Sequence, residues 1–348
     1  MALFRMKPQY RKKAKVLSYY GTATPITTAV RELSGTTVGN YVLFAGGTYD
    51  GSYGIATVNG YNNDLTKVNA INDLYKTAFN LLATTVKELA FFYNGQNSSN
   101  LVQGATAYNT SLTKTNLASS RTGSKDSSAA TSVGDYALFD TYPGYNKSSN
   151  YFEAYDSSGT RYIYSIATTP LLFSPAATTI NDYALFAGGD TYKGRKVYGY
   201  DASLTQKTNI SDLSDYKRYM VAVSNNDYAL FAGGSKASST SNTIELYNSS
   251  LTKISSTITL TEPNAAMDER LSAVVIDDYI IFYNNYDVAG SNSLFEMYNK
   301  SFTKSNYYIN KLPKYQASIA SINNYIIVCG GLYYSTGVTD TVDIFQVA

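Results

Sequence analysis

The sequence predicts an all-β chain folded as a seven-bladed β-propeller of four-stranded blades, its last blade closed by an N-terminal strand. Three observations carry this. The stretch INDYALFAGG, Ile180 to Gly189, returns almost unchanged as NNDYALFAGG, Asn225 to Gly234. With its tyrosine as marker, related copies fall at Tyr41, Leu89, Tyr136, Tyr183, Tyr228, Tyr279 and Tyr325, 45 to 51 residues apart, a period typical of propellers and other closed arrays. The seventh copy stops at Ala348, just after its third strand, while Val16 to Tyr20 (VLSYY) precedes the first strand of the first copy. The N-terminal strand is therefore expected to complete the last blade, which removes a free sheet edge.

Each copy opens with a short run of small or apolar residues, such as PAATTI or SAVVI, which forms the first strand. A polar pair follows: Gly39-Asn40, Gly134-Asp135, Asn181-Asp182, Asn226-Asp227, Asp277-Asp278 or Asn323-Asn324. Such residues tolerate the positive φ that two-residue hairpins need; Lys87-Glu88 in the second copy breaks the pattern. The second strand is apolar on both faces, with Tyr183, Leu185 and Ala187 on one side and Ala184 and Phe186 on the other. Loss of alternation means that neither face meets water, as in a blade held between two others. Gly-Gly often closes this strand, at Gly46-Gly47, Gly188-Gly189, Gly233-Gly234 and Gly330-Gly331. After a variable loop, a third strand ends in Tyr61, Tyr108, Tyr155, Tyr200, Tyr247, Tyr298 or Phe345, and LTK or a relative opens the fourth. Four strands in seven copies give the propeller.

Double glycine after an apolar strand, with an aromatic 11 to 14 residues on, resembles the kelch repeat, and the likeness covers Val16 to Ala348. Kelch repeats usually add a tryptophan six or seven residues later. Here Lys67, Lys114, Arg161, Gln206, Lys253 and Lys304 or their neighbours stand there, and the chain has no Trp. The segment Tyr20 to Gly47 and the phrase YNSSLTK (Tyr247 to Lys253) resemble more narrowly a Tyr/Asn/Ser-rich kelch-like group of bacteriophage tail-associated and bacterial surface proteins. That resemblance implies a binding or structural module on a virion or cell surface, with no cofactor and no metal.

The period argues for one closed ring at residues 16–348, preceded by a basic arm at residues 1–15. The arm carries Arg5, Lys7, Arg11, Lys12, Lys13 and Lys15; the net charge of +2 less these six leaves −4 for the remainder. That balance argues against a nucleic-acid-binding face on the ring. Three readings of the arm stand: a solvated tail, a docking arm whose Leu3, Phe4, Met6 and Tyr10 order against an acidic partner, or a nucleic-acid arm. No apolar run reaches the roughly 18 to 20 residues of a membrane span, and no apolar segment follows the basic residues as in a signal peptide. The one cysteine, Cys329, replaces an alanine of other copies and reads as a small buried residue.

The loops after Gly-Gly vary most, and in a four-stranded blade they all emerge on one face of the ring. They gather Tyr49, Tyr53, Tyr142, Tyr145, Tyr192, Tyr286, Tyr333 and Tyr334. Tyrosine joins a large apolar body to a polar tip, and loops on a rigid scaffold are where binding resides; the other reading is that these loops pack on one another. Glu153, Glu245, Glu296 and Asp343 recur two residues before the third-strand aromatic, and Arg31, Lys125, Arg218 and Arg270 recur nine to eleven residues before the marker. Recurrence at one repeat position means one structural job done several times, here buried or inter-blade ion pairs and hydrogen bonds.

With no histidine, His-dependent triads and His metal sites are excluded. This includes the copper site of the oxidases that share the kelch-type propeller. Sialidase Ser-x-Asp-x-Gly-x-Thr-Trp boxes and calcium-loop motifs are absent as well. The expected function is a non-enzymatic module that meets a protein or cell-surface glycan through its loops. The alternatives are a purely structural decoration protein and a carbohydrate-active enzyme using a carboxylate pair.

Overall fold

The computed structural model describes residues 14–98, 100–119, 128–140, 151–165, 174–189, 194–236, 239–264, 271–284, 292–333 and 335–348. Seven antiparallel sheets stand around one axis, and no helix occurs among these residues. The first blade pairs Ser34–Val38, Tyr41–Ala45, Val58–Asn62 and Lys67–Val68 in that order. The first strands of the remaining blades are Leu82–Val86, Ala130–Val133, Ala176–Ile180, Val221–Ser224, Leu271–Ile276 and Ser318–Ile322. Each first strand touches the next around the axis, and Ser318–Ile322 touches Ser34–Val38, so the ring is closed.

Closure comes from the N-terminal strand. Leu17–Ala23 runs antiparallel to Val342–Val347 as the fourth strand of blade seven, with a bulge between Tyr19 and Gly21. Tyr19 stacks edge-on against Phe345, at 5.6 Å between ring centres. Blade five departs from the plan. Its third strand, Ser241–Asn248, is eight residues long, but its fourth, Lys253–Ile254, has two. The uncovered part of the long strand pairs instead with Thr259–Asn264.

The core is divided into seven apolar clusters, one at each blade-to-blade interface. Ala184 and Phe186 pack toward blade three, whereas Leu185 and Ala187 pack toward blade five. The two-sided burial read from YALFA is thus the geometry of a blade held between neighbours. Hairpins join first to second strands in every blade. The first residue of the turn has positive φ at Gly39, Lys87, Gly134, Asn181, Asp277 and Asn323, so Lys87 takes the turn despite its unusual residue type. Blade five again differs: Asn225 Oδ1 accepts from the backbone N–H of Asp227 and Tyr228, and the turn is built on that side chain.

The connectors between blades are clamped by a repeated set of side chains. The Tyr61, Tyr108, Tyr155, Tyr247 and Tyr298 hydroxyls donate to the carbonyls of Thr24, Asn72, Ala118, Ser211 and Thr259, at 2.7 to 2.9 Å. Lysines that open the fourth strands grip the same connectors: Lys67 on Pro25, Lys114 on Asp73, Lys253 on Asp212 and Lys304 on Thr259. The double glycine docks on the connector of the following blade. Gly47, Gly189 and Gly331 N–H donate to the carbonyls of Ala78, Lys217 and Val30. A Cβ on Gly330 would lie 2.6 Å from that Val30 oxygen. At the axis, hydroxyls of Thr85, Thr179, Ser224 and Ser321 donate to carbonyls of the preceding blade, at Thr37, Ser132, Thr179 and Val275.

Candidate binding face

Antiparallel register sorts the loops onto two faces. Ser34 lies opposite Ala45, and Ala45 opposite Val58. The starts of the first strands, the loops between second and third strands and the inter-blade connectors therefore share one face. The short hairpins lie on the other.

Tyr49 and Tyr53 sit on the loop face over blade one, 55% and 57% exposed. Asp50 between them fixes the loop: its Oδ1 accepts from the N–H of Ser52 at 2.8 Å, of Tyr53 at 2.9 Å, and from Thr48 Oγ1. These donors, Tyr53 N–H first, hold the carboxyl below its ordinary range. Tyr333 is half-buried, its hydroxyl 3.2 Å from Thr341 Oγ1, and burial raises its pKa. Tyr142, Tyr145, Tyr192, Tyr286 and Tyr334 lie outside the described residues.

Tyr75, 55% exposed, belongs to the same face, because it lies on the connector into blade two, where its N–H donates to Thr106 Oγ1. A search confined to the post-glycine loops does not find it. The same face opens at the axis into a cavity of about 350 Å³, lined by the starts of all seven first strands. At its rim a backbone belt runs between blades: Glu32 N–H donates to the Gln316 carbonyl, Asn80 N–H to Glu32, and Tyr219 N–H to Ser174.

The recurrent acids are structural. Glu153, Glu245, Glu296 and Asp343 are all buried. Glu245 Oε2 accepts from Ser214 N–H and Glu296 Oε2 from Thr261 N–H, so both hold the connector that their blade's tyrosine clamps. Asn59 in blade one accepts from Thr27 N–H in the same way. Glu153 accepts from Tyr93 Oη at 2.7 Å, and Arg161 lies 3.8 Å away.

The recurrent bases do not share one role. Glu245 pairs with Lys217 at 2.8 Å and with Lys253 at 2.5 Å; Asp343 pairs with Lys314 at 2.7 Å. Arg218, adjacent to Lys217, lies over the Tyr219 ring, and Arg31 Nη1 donates to Gln316 Oε1. Both inward lysines stand 11 residues before their marker, Lys217 before Tyr228 and Lys314 before Tyr325, one residue ahead of the position that Arg31 and Arg218 occupy in their own repeats. Burial lowers the pKa of both Lys217 and Lys314, against the raising effect of their carboxylates. Lys125 and Arg270 lie outside the described residues.

Of the arm, Lys15 is described; Arg5, Lys7, Arg11, Lys12 and Lys13 are not. Lys15 Nζ lies 2.6 Å from Asp277 Oδ2, in the hairpin of blade six, and its carbonyl accepts from Tyr307 Oη. The chain therefore enters the ring on the face opposite the loops. Cys329 is buried at the blade-seven to blade-one interface, and burial pushes its thiol up to about 12. Among the described residues, no three His, Cys, Asp or Glu side chains gather in a metal-sized cluster, and no helix is long and apolar enough to cross a membrane. Comparison of the chain with models of protein families and with curated proteins finds no match.

Proposed function

We propose that this propeller is a non-enzymatic binding module of the kelch-like kind found on phage tails and bacterial surfaces, and that it works on a virion or cell surface. The loop face meets a cell-surface glycan or protein, and the basic arm docks to the assembly that carries the ring. The observation that carries this reading is the separation of the two parts. Exposed tyrosines stand on a face whose described connectors are clamped by tyrosines and lysines, while Lys15 marks the entry of the arm on the opposite face. A molecule arranged this way can be held from one side and present the other. Ring stacking on sugar CH faces, joined by hydroxyl and amide hydrogen bonds, gives weak single contacts; display in many copies multiplies them. The recurrent acids are held by lysines, connector N–H groups or tyrosine hydroxyls, which speaks for structure rather than catalysis at those positions.

The test is binding of the purified protein, displayed at high density on beads, to a glycan array and to bacterial cells. Specific binding without turnover supports the reading. Silence at every density, with the arm still driving assembly, assigns a decoration role instead. Polysaccharide cleavage would replace both with an enzyme.

A further inference from the structure

We propose that the axial cavity is a subsite for the uncharged, hydroxylated end of a chain: the terminal sugar of a neutral oligosaccharide. This rests on the glycan reading above and deepens it. The described lining carries no acidic or basic side chain, although the flanking sequence is rich in them; Tyr219 adds a phenol. Lys217 and Lys314 are held in pairs with Glu245 and Asp343 inside their blades. Arg31 is held by Gln316 and lies 3.6 Å from Glu32. A charged chain end entering here loses hydration and gains no counter-ion from the described walls, which is unfavourable. A neutral end avoids it.

The walls also point away from a purely apolar ligand. Ser34, Ser128, Ser174, Ser272 and Ser318 place a serine on five of the seven blades, between alanine and branched aliphatic neighbours. Ser34 Oγ is engaged by the Leu81 carbonyl. Ser318 is 8% exposed, lines the cavity, and makes no hydrogen bond through its hydroxyl to any described residue. Its hydroxyl is open to the cavity, where a ligand hydroxyl can bond it. Gly35 allows the close approach of its neighbours: a Cβ there would lie 2.8 Å from Ser318 Oγ and 2.8 Å from the Phe44 ring. The volume, about 350 Å³, lies near the lower end of the roughly 300–1,000 Å³ usual for small-molecule pockets. It suits one or two sugar rings rather than a chain laid across the mouth. The exposed tyrosines outside the cavity then hold the following sugars.

The test uses the full chain on beads against array oligosaccharides ending in a neutral hexose or N-acetylhexosamine, beside sialylated and uronic-acid-terminated counterparts of the same length. Preference for neutral ends, lost at least tenfold in Ala177→Phe, supports the subsite; Ala177 lines the cavity and faces it half-exposed. Ser318→Ala adds no bulk, so it serves if Ala177→Phe does not fold, and it is expected to weaken binding roughly three- to tenfold. Binding of neutral glycans that both variants leave unchanged, or preference for acidic ends, overturns the cavity proposal while the glycan reading survives. No glycan binding at any density overturns both.

Discussion

Glu245 accepts three contacts, from Lys217, Lys253 and the Ser214 N–H. Their loss is not symmetric. Glu245→Ala leaves the fully buried Lys217 ammonium without its counter-ion, and breaking a buried pair in that way costs about 3–5 kcal/mol. Lys217→Met keeps Glu245 paired with Lys253 and fills the space with an apolar side chain. Thermal or urea unfolding should therefore rank Glu245→Ala well below Lys217→Met, and equal losses would contradict this. Asp140, which ends the second strand of blade three where other blades carry Ala45, Ala187, Ala232 or Cys329, is buried, and burial raises its pKa to about 7 from an ordinary 3.8. Because the folded value is the higher, the protonated form is the stabilising one. The contribution is complete below about pH 4 and is lost as pH rises through 7. Asp140→Asn should melt several degrees above the parent at pH 8, with the gap closing toward pH 4.5; a gap independent of pH would contradict the assignment. The sequence showed the acids recurring with the repeat and hence their structural use. It did not show that Lys217 rather than Arg218 turns inward, because the two are adjacent and both fall within the nine to eleven residues counted back from the marker.

At the scale of strands and connectors, most of the plan was written in local chemistry. YALFA lacks alternation because both of its faces are buried, and Gly-Gly marks where a second strand must meet the next connector without a Cβ between them. The lysines in place of tryptophan read only as a departure from the kelch pattern. Their reach across more than 40 residues of sequence to a connector carbonyl is legible only in three dimensions. The terminal strand was legible because the last copy lacks a fourth. Its weight can be measured. Deleting residues 1–20 removes Leu17 and Tyr19 from the interface of blades six and seven and opens the ring. Deleting residues 1–11 removes no described contact. The first truncation should lower the melting temperature markedly against the second, and equal melting temperatures would contradict closure by this strand.

At the scale of the whole molecule, the repeat distributes one apolar interface seven times and leaves the two faces free to differ. One carries short hairpins and the entry of the basic arm; the other carries the long loops, the exposed tyrosines and the axial cavity. The sequence located the loops, since they are where the repeats diverge. The cavity was illegible, because small residues at the starts of first strands reveal neither their inward direction nor their meeting at one axis. The most direct measurement compares bead-displayed parent protein with a variant in which Tyr49, Tyr53, Tyr142, Tyr145, Tyr192, Tyr286 and Tyr334 are changed to Ser. The half-buried Tyr333 is left in place. Both are tested on the glycans and cells of the array, with circular dichroism to check the fold. Specific retention of the parent, lost in a variant with an unchanged β spectrum, is the predicted result. Equal retention of the two, or no retention of the parent at any density, would contradict binding through the tyrosine-rich face.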